Sequence, residues 1–223
     1  DVSPISNRPP DLSAAANLLW VALWLALVLV AAKTARLIWP LQKELSRKLV
    51  HIGAGLAVPL AWALQIPRAW ALPAAGLATL IALINHRFRL VPEVEDVGRR
   101  SIGTIAYGLS ITLLVWFWWP QRADLVSACV LVMVLGDGAA GLLGSSLSSP
   151  RWQVMGQTKS LIGTSVMAIV SLLVLSLLLR DLSWPTLIAL SAAATLLEQL
   201  SWGGLDNFSV PMGVAAMAYW LGA

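Results

Sequence analysis

"LVSACVLVMVLGDGAAGLLGSS", Leu125 to Ser146, runs an uncharged apolar stretch into a single carboxylate, Asp137, set between two glycines. Taken alone, Gly-Asp-Gly is turn chemistry, which would make this a connector between helices. Taken as the end of a membrane span, the same carboxylate is costly. An ionisable side chain within a span costs about 2.5–3.5 kcal/mol on insertion scales, so its presence marks a pathway or a site. The rest of the chain decides between the two readings.

Composition points to lipid. Of 223 residues, 58% are hydrophobic and 12% charged, with a mean hydropathy of +0.78. Soluble domains carry about 25% charged residues. Several charge-free stretches reach about 20 residues, the length of a bilayer span. Twelve tryptophans suit interfacial belts, as at Trp116, Trp118 and Trp119. The expectation is an all-α, polytopic integral membrane protein of about eight spans: roughly 15–38, 47–65, 69–86, 101–119, 123–144, 161–180, 184–201 and 207–222. The alternation of a membrane β-barrel is missing. Residues 1–14 are polar and proline-rich and read as a loose tail before one helical domain, 15–223, with no signal-peptide pattern. The lone cysteine, Cys129, sits mid-span and reads as a small packing residue.

Eleven Lys and Arg residues, at 33, 36, 43, 47, 48, 87, 89, 99, 100, 151 and 159, fall on one side of these spans, and four, at 8, 68, 122 and 180, on the other. The positive-inside rule assigns the first side to the cytoplasm. A net charge of +4 is therefore topology and anion attraction rather than nucleic-acid binding. Most acids collect on that side too, including Asp137, Glu198 and Asp206. The chemistry is expected at the cytoplasmic face.

The motifs there favour phosphate. Gly136 and Gly138 would let the backbone break and approach a ligand around Asp137, and Gly144 follows on the same segment. In "GQTKSLIGT", Lys159, Ser160 and Thr164 flank a helix entrance, an anion-binding arrangement without the Walker A spacing. In "SRKLVHIGAG", Arg47 and Lys48 lie four and three residues before His51 and can share its helix face. "GRRSIGT" repeats the theme with Arg99, Arg100, Ser101 and Thr104. Glu198 reads either as an interfacial snorkeller or as part of the site. Asp206 or Asn207 in "LDNFSVP" can cap a helix. Asp137, Glu198 and Asp206 together offer hard oxygen ligands for Mg²⁺, which typically takes one or two carboxylates plus substrate phosphates. Gly53, Gly55, Ala139, Ala140 and Gly141 either let helices approach closely or leave a slot for an alkyl tail. Zinc spacings and a nucleophile elbow are missing. Phosphoryl or nucleotidyl transfer to a lipid fits best, because it needs charge stabilisation and positioning more than a covalent nucleophile.

The order of "RKLVHIGAGL", "RRSIGTIAYGL", "LGDGAAGLLGSS", "GQTKSLIGT" and "LEQLSWGGLDNFSVP" resembles the phytol kinase and dolichol kinase family of CTP-dependent lipid kinases, from about Arg47 to Met212. That resemblance implies transfer of the CTP γ-phosphate to an isoprenoid alcohol with a divalent metal. It carries over Arg47 and Lys48 as the basic pair and Asp137 as the essential acid. Lys159 is then the lysine of Lys-Ser, and Glu198, Asp206 and Asn207 are the late acidic and Asp-Asn positions. On this reading Asp137, Lys159 and Lys48 are catalytic, and Asp137, Glu198 and Asp206 hold metal. The nucleotide lies against Arg47, Lys48, His51, Arg100, Gly136, Gly138, Gly144, Lys159, Ser160 and Asn207. The chain departs from many members in placing Gly141 and Ser145 or Ser146 where a further Asp and a basic residue follow. A phosphatidate cytidylyltransferase-like enzyme and a small transporter are the alternatives. Membrane lipids are expected partners, and the sequence leaves oligomerisation open.

Overall fold

A computed structural model describes residues 12–88, 90 and 102–222. The quoted stretch forms its central strut. Helix α6 (Ala123–Leu131) passes through a π-helical turn (Val132–Gly136) directly into α7 (Asp137–Ser146) without a break. From Leu125 to Val130 every residue is fully buried, as are Val132 and Val134. A helix apolar on all sides belongs in the middle of a bundle. Around it pack α3 (Ala57–Ala63), α5 (Gly103–Trp118), α8 (Leu161–Leu178) and α10 (Asp206–Trp220). Cys129 is indeed a buried packing residue.

The remaining helices wrap this centre. α1 (Leu12–Ile38) lies along α2 (Lys43–Gly55), α4 (Arg68–Phe88) along α5, and α9 (Trp184–Leu200) between α8 and α10. Outward faces are greasy: Leu23 and Leu27 of α1, Leu77 and Ile81 of α4, and Ile169 and Leu173 of α8 are all exposed. Among the described residues, four helical segments are long and apolar enough to cross a membrane: 14–38, 68–88, 123–146 and 161–178. This is a helical membrane protein. The expected span 47–65 is in fact two helices meeting at Leu56, and α5, α9 and α10 have 16, 17 and 15 residues.

Two expectations are corrected. The chain is nearly, not wholly, α-helical: Arg151–Val154 (β1) and Gln157–Ser160 (β2) pair antiparallel, Arg151 opposite Ser160. The connection is two residues, Met155 (φ 47°) and Gly156 (φ 77°), and two successive positive φ angles make the turn that matches strand twist. Thus Lys159 reaches the α8 entrance from the end of a strand. Gly136 and Asp137 also have ordinary helical dihedrals, so Gly-Asp-Gly is neither a turn nor a broken helix end. Its glycines serve close packing instead. A Cβ on Gly138 would lie 2.9 Å from Ile52 of α2, and one on Gly144 would lie 2.6 Å from Ser160 and 3.1 Å from the Gly163 backbone.

The small-residue slot resolves the same way. A Cβ on Gly53 would meet Val28 at 2.6 Å, one on Gly55 would meet Val134 at 2.5 Å, and Gly141 abuts the Lys48 ammonium. These residues bring helices together and leave no room there for an alkyl tail.

Candidate active site

The site is built where α7, the hairpin and the helix ends converge. Lys159 leaves β2 and donates from Nζ to the Glu198 carboxylate and, at 3.0 Å, to the Glu198 carbonyl oxygen. Both side chains are about nine-tenths buried, at 11% and 9% exposure. The other Glu198 oxygen accepts from Gln199 Nε2 at 2.8 Å, and that amide also reaches Thr164 at 3.0 Å. Glu198 therefore does not snorkel. Both its oxygens are engaged, and it holds Lys159 in place.

Ser160 caps α8, its hydroxyl accepting from the Gly163 amide at 3.1 Å. The amides of Leu161 and Ile162 go to the Pro150 carbonyl and the Ser149 hydroxyl. The first amides of this helix are thus already partnered, against the expectation that they would bind an anion directly. What remains for a phosphate is the Lys159 ammonium and the polar side chains around it. A cavity of about 240 Å³ opens here, bordered by Asp137, Gly144, Arg151, Thr158, Lys159, Ser160 and Glu198.

Asp137 also faces the opposite way. Its Oδ2 lies 3.8 Å from His51 Nε2, and among the described residues that nitrogen has no hydrogen-bond partner. Tyr107 sets the histidine: its hydroxyl donates to the His51 carbonyl at 2.9 Å, and the two rings pack 5.1 Å apart. One turn away, Lys48 is buried and donates to the Gly138 carbonyl at 3.1 Å. Arg47 is tied to Glu44 at 2.6 Å at the more open rim. Asn207 is buried, donating to the Gly103 carbonyl at 3.1 Å while its Oδ1 is left without a partner among the described residues. Neither Asp206 nor Asn207 caps α10 by its side chain. Asp206 stands just ahead of the apolar run of α10. Burial, with the carboxylates of Asp137 and Glu198, pushes its carboxyl up to about 6 against the pull of the Lys159 ammonium.

His51, Asp137, Asp206, Asn207, Arg47 and Thr158 ring the mouth of a second, larger cavity of about 610 Å³. The two cavities adjoin at Asp137, Gln157 and Thr158. Of the residues singled out by sequence, Asp137, Lys159, Glu198, Gly144 and Ser160 border the smaller cavity, and Arg47, His51, Asp137, Asp206 and Asn207 the larger. Gly136, Gly138 and Lys48 stand behind them, and Arg100 lies outside the described residues. Sequence reading passed over Arg151, Gln157 and Thr158, which the hairpin delivers, and Tyr107, whose signal is a lone hydroxyl-bearing ring in an apolar run.

Among the described residues no three His, Cys, Asp or Glu side chains gather closely enough to hold a metal by themselves. Two carboxylates, Asp137 and Asp206, do share one cavity mouth, and the Asp137 carboxylate raises the cost of charging Asp206. That fits Mg²⁺, which is held by one or two carboxylates with substrate phosphates and water rather than by an all-protein cage.

A protein named phytol kinase from Synechocystis sp. is 40% identical to this chain over 221 residues, covering 92% of this chain and 95% of that protein. No protein-family model and no solved structure matches.

Proposed function

The chain belongs to the phytol kinase family, and from that premise we propose that it transfers the γ-phosphate of CTP to the hydroxyl of an isoprenoid alcohol such as phytol, giving the prenyl monophosphate and CDP. The observation that supports this most is the meeting of two unlike cavities at Asp137, one rimmed by Lys159 and Arg151, the other running into apolar side chains. Phosphoryl transfer asks for a donor and an acceptor in line across one point, with charge stabilisation around it.

In this reading the triphosphate lies in the smaller cavity. Lys159 contacts its phosphates, giving up part of its hold on Glu198, and Arg47 and Lys48 add positive charge nearby; Arg100, expected in the same role, belongs to the residues not described. Gly144 and Ser160 shape the nucleotide's path, and Asn207, expected beside them, stands at the mouth of the adjoining cavity. The acceptor hydroxyl lies beside Asp137 and His51. Its oxygen bonds to the γ-phosphorus as the bond to the β–γ bridging oxygen breaks, and its proton passes to the Asp137–His51 pair. Mg²⁺, held by Asp137 and Asp206 with Glu198 alongside, would neutralise charge on the transferring phosphate. The described helices would make one multi-pass membrane domain of eight spans, with α1 beginning at Leu12, inside the expected 1–14 tail. The charge bias turns the nucleotide site to the cytoplasm.

The direct test is detergent-solubilised protein with γ-labelled CTP, Mg²⁺ and a panel of prenols. Labelled prenyl phosphate and CDP are expected. Pyrophosphate with a CDP-lipid would instead establish the cytidylyltransferase reading, which no observation here favours.

A further inference from the structure

The larger cavity continues well past its polar mouth. One wall is α4, whose Ala71, Ala74, Ala75, Ala78 and Ala82 recur at helical spacing on a single face. The same helix turns Leu77, Leu80 and Ile81 outward. Small residues inside and large ones outside is the reverse of a packed core, and here it hollows the bundle. The alanines face apolar residues of α1, α3 and α5, including Leu25, Val58 and Ile111. The far end is shut by Ile66 and Trp119, each 2% exposed, with the indole Nε1 donating to the Ile66 carbonyl at 2.9 Å. At the near end stand Asn207 Oδ1 and His51 Nε2, buried polar atoms with no partner among the described residues.

We infer that this partly open cavity is a measuring channel for the acceptor's isoprenoid tail, with the Ile66–Trp119 floor setting the longest chain accepted. The inference rests on the kinase reading for the identity of the occupant. Ala71 and Ala82 are eleven residues apart, so the channel runs about 17 Å along α4. An extended chain advances roughly 3.6 Å per three bonds, so about 17 Å takes about fourteen bonds, close to the main chain of four isoprene units. Three units leave the floor untouched, and five cannot fit without displacing Trp119. One helical turn, about 5.4 Å, also nearly equals one isoprene unit. A plug moved one turn toward the mouth therefore shortens the accepted tail by about one unit.

The test uses Ala71→Leu, Ala75→Leu and Ala78→Leu in the full chain, with prenols of two to five isoprene units. Two readouts run in parallel: turnover with labelled CTP, and the rise in Tm each alcohol gives in detergent without nucleotide. The expected result is a stepwise fall in preferred length as the leucine climbs. The four-unit alcohol should lose more than tenfold in kcat/KM with Ala75→Leu, while shorter alcohols and the KM for CTP change little. The thermal shift from the four-unit alcohol should vanish in the same variant and persist for the two-unit one. If all lengths weaken equally, or the four-unit alcohol still stabilises Ala75→Leu as it does the parent, the tail lies elsewhere and the channel is refuted. If the parent phosphorylates no prenol at all, the kinase reading fails, while the thermal shifts still decide whether the channel measures chain length.

Discussion

Replacing Lys159 separates its two jobs. In the folded chain its ammonium is the buried partner of Glu198, and in the proposed reaction it contacts phosphate. Lys159→Ala alone leaves the Glu198 carboxylate buried with, among the described residues, Gln199 as its donor. Removing one member of a buried pair costs about 3–5 kcal/mol. At roughly 2–4 °C per kcal/mol for a chain of this size, Tm should fall by about 6–20 °C. Lys159→Ala/Glu198→Gln removes the stranded charge, keeps an amide that can pair with Gln199, and should recover most of that loss. The phosphate contact is not recovered. A charge-assisted hydrogen bond is worth about 1.5–3 kcal/mol, so the KM for CTP should stay roughly 10- to 150-fold high in both variants. The assay pairs thermal melts with CTP saturation curves for the parent, each single variant and the double. If the double variant regains normal CTP affinity along with its Tm, Lys159 serves only to pair Glu198, and the phosphate assignment is wrong.

Asp137→Asn keeps shape but loses charge; turnover should fall more than tenfold with Tm nearly unchanged, and retained activity would reduce Asp137 to a packing neighbour of His51. Gly144→Ala presses a methyl against the Ser160 hydroxyl and the Gly163 backbone, so overpacking should cost about 1–3 kcal/mol, read as a lower Tm. Folded Asp206 keeps its proton up to about pH 6, whereas an unfolded aspartate loses it near 4. In divalent-free buffer stability should therefore fall as pH rises from about 4 to 6 and level off above, a change on the order of 3 kcal/mol that Asp206→Asn abolishes.

Much of this site was legible because charge is conspicuous in an apolar chain. Asp137, Lys159, Glu198 and Asp206 stood out by cost alone, and the structure does gather them near one end of the bundle. Their partners were not legible. Nothing local says that Glu198 belongs to Lys159, thirty-nine residues away, rather than to a metal. The hairpin was missed because "RWQVMGQTKS" is short and lacks an Asn-Gly or Asp-Gly turn signal, and Met155 takes a positive φ that side chains rarely adopt.

The aim of Asp137 depended on a subtler feature. A uniform 3.6-residue period run from Leu125 would place Asp137 on one face of the strut. The π-helical turn at Val132–Gly136 takes up one extra residue and rotates everything beyond it by about 100°. Such turns recur at functional sites because they re-aim a side chain without ending the helix. Here the rotation lets one carboxylate border both cavities while the glycines after it carry α7 against α2 and the capped end of α8. Asp137 is part of a long apolar helical segment, and a phase shift within the helix, rather than a break in it, gives that carboxylate access to both cavities.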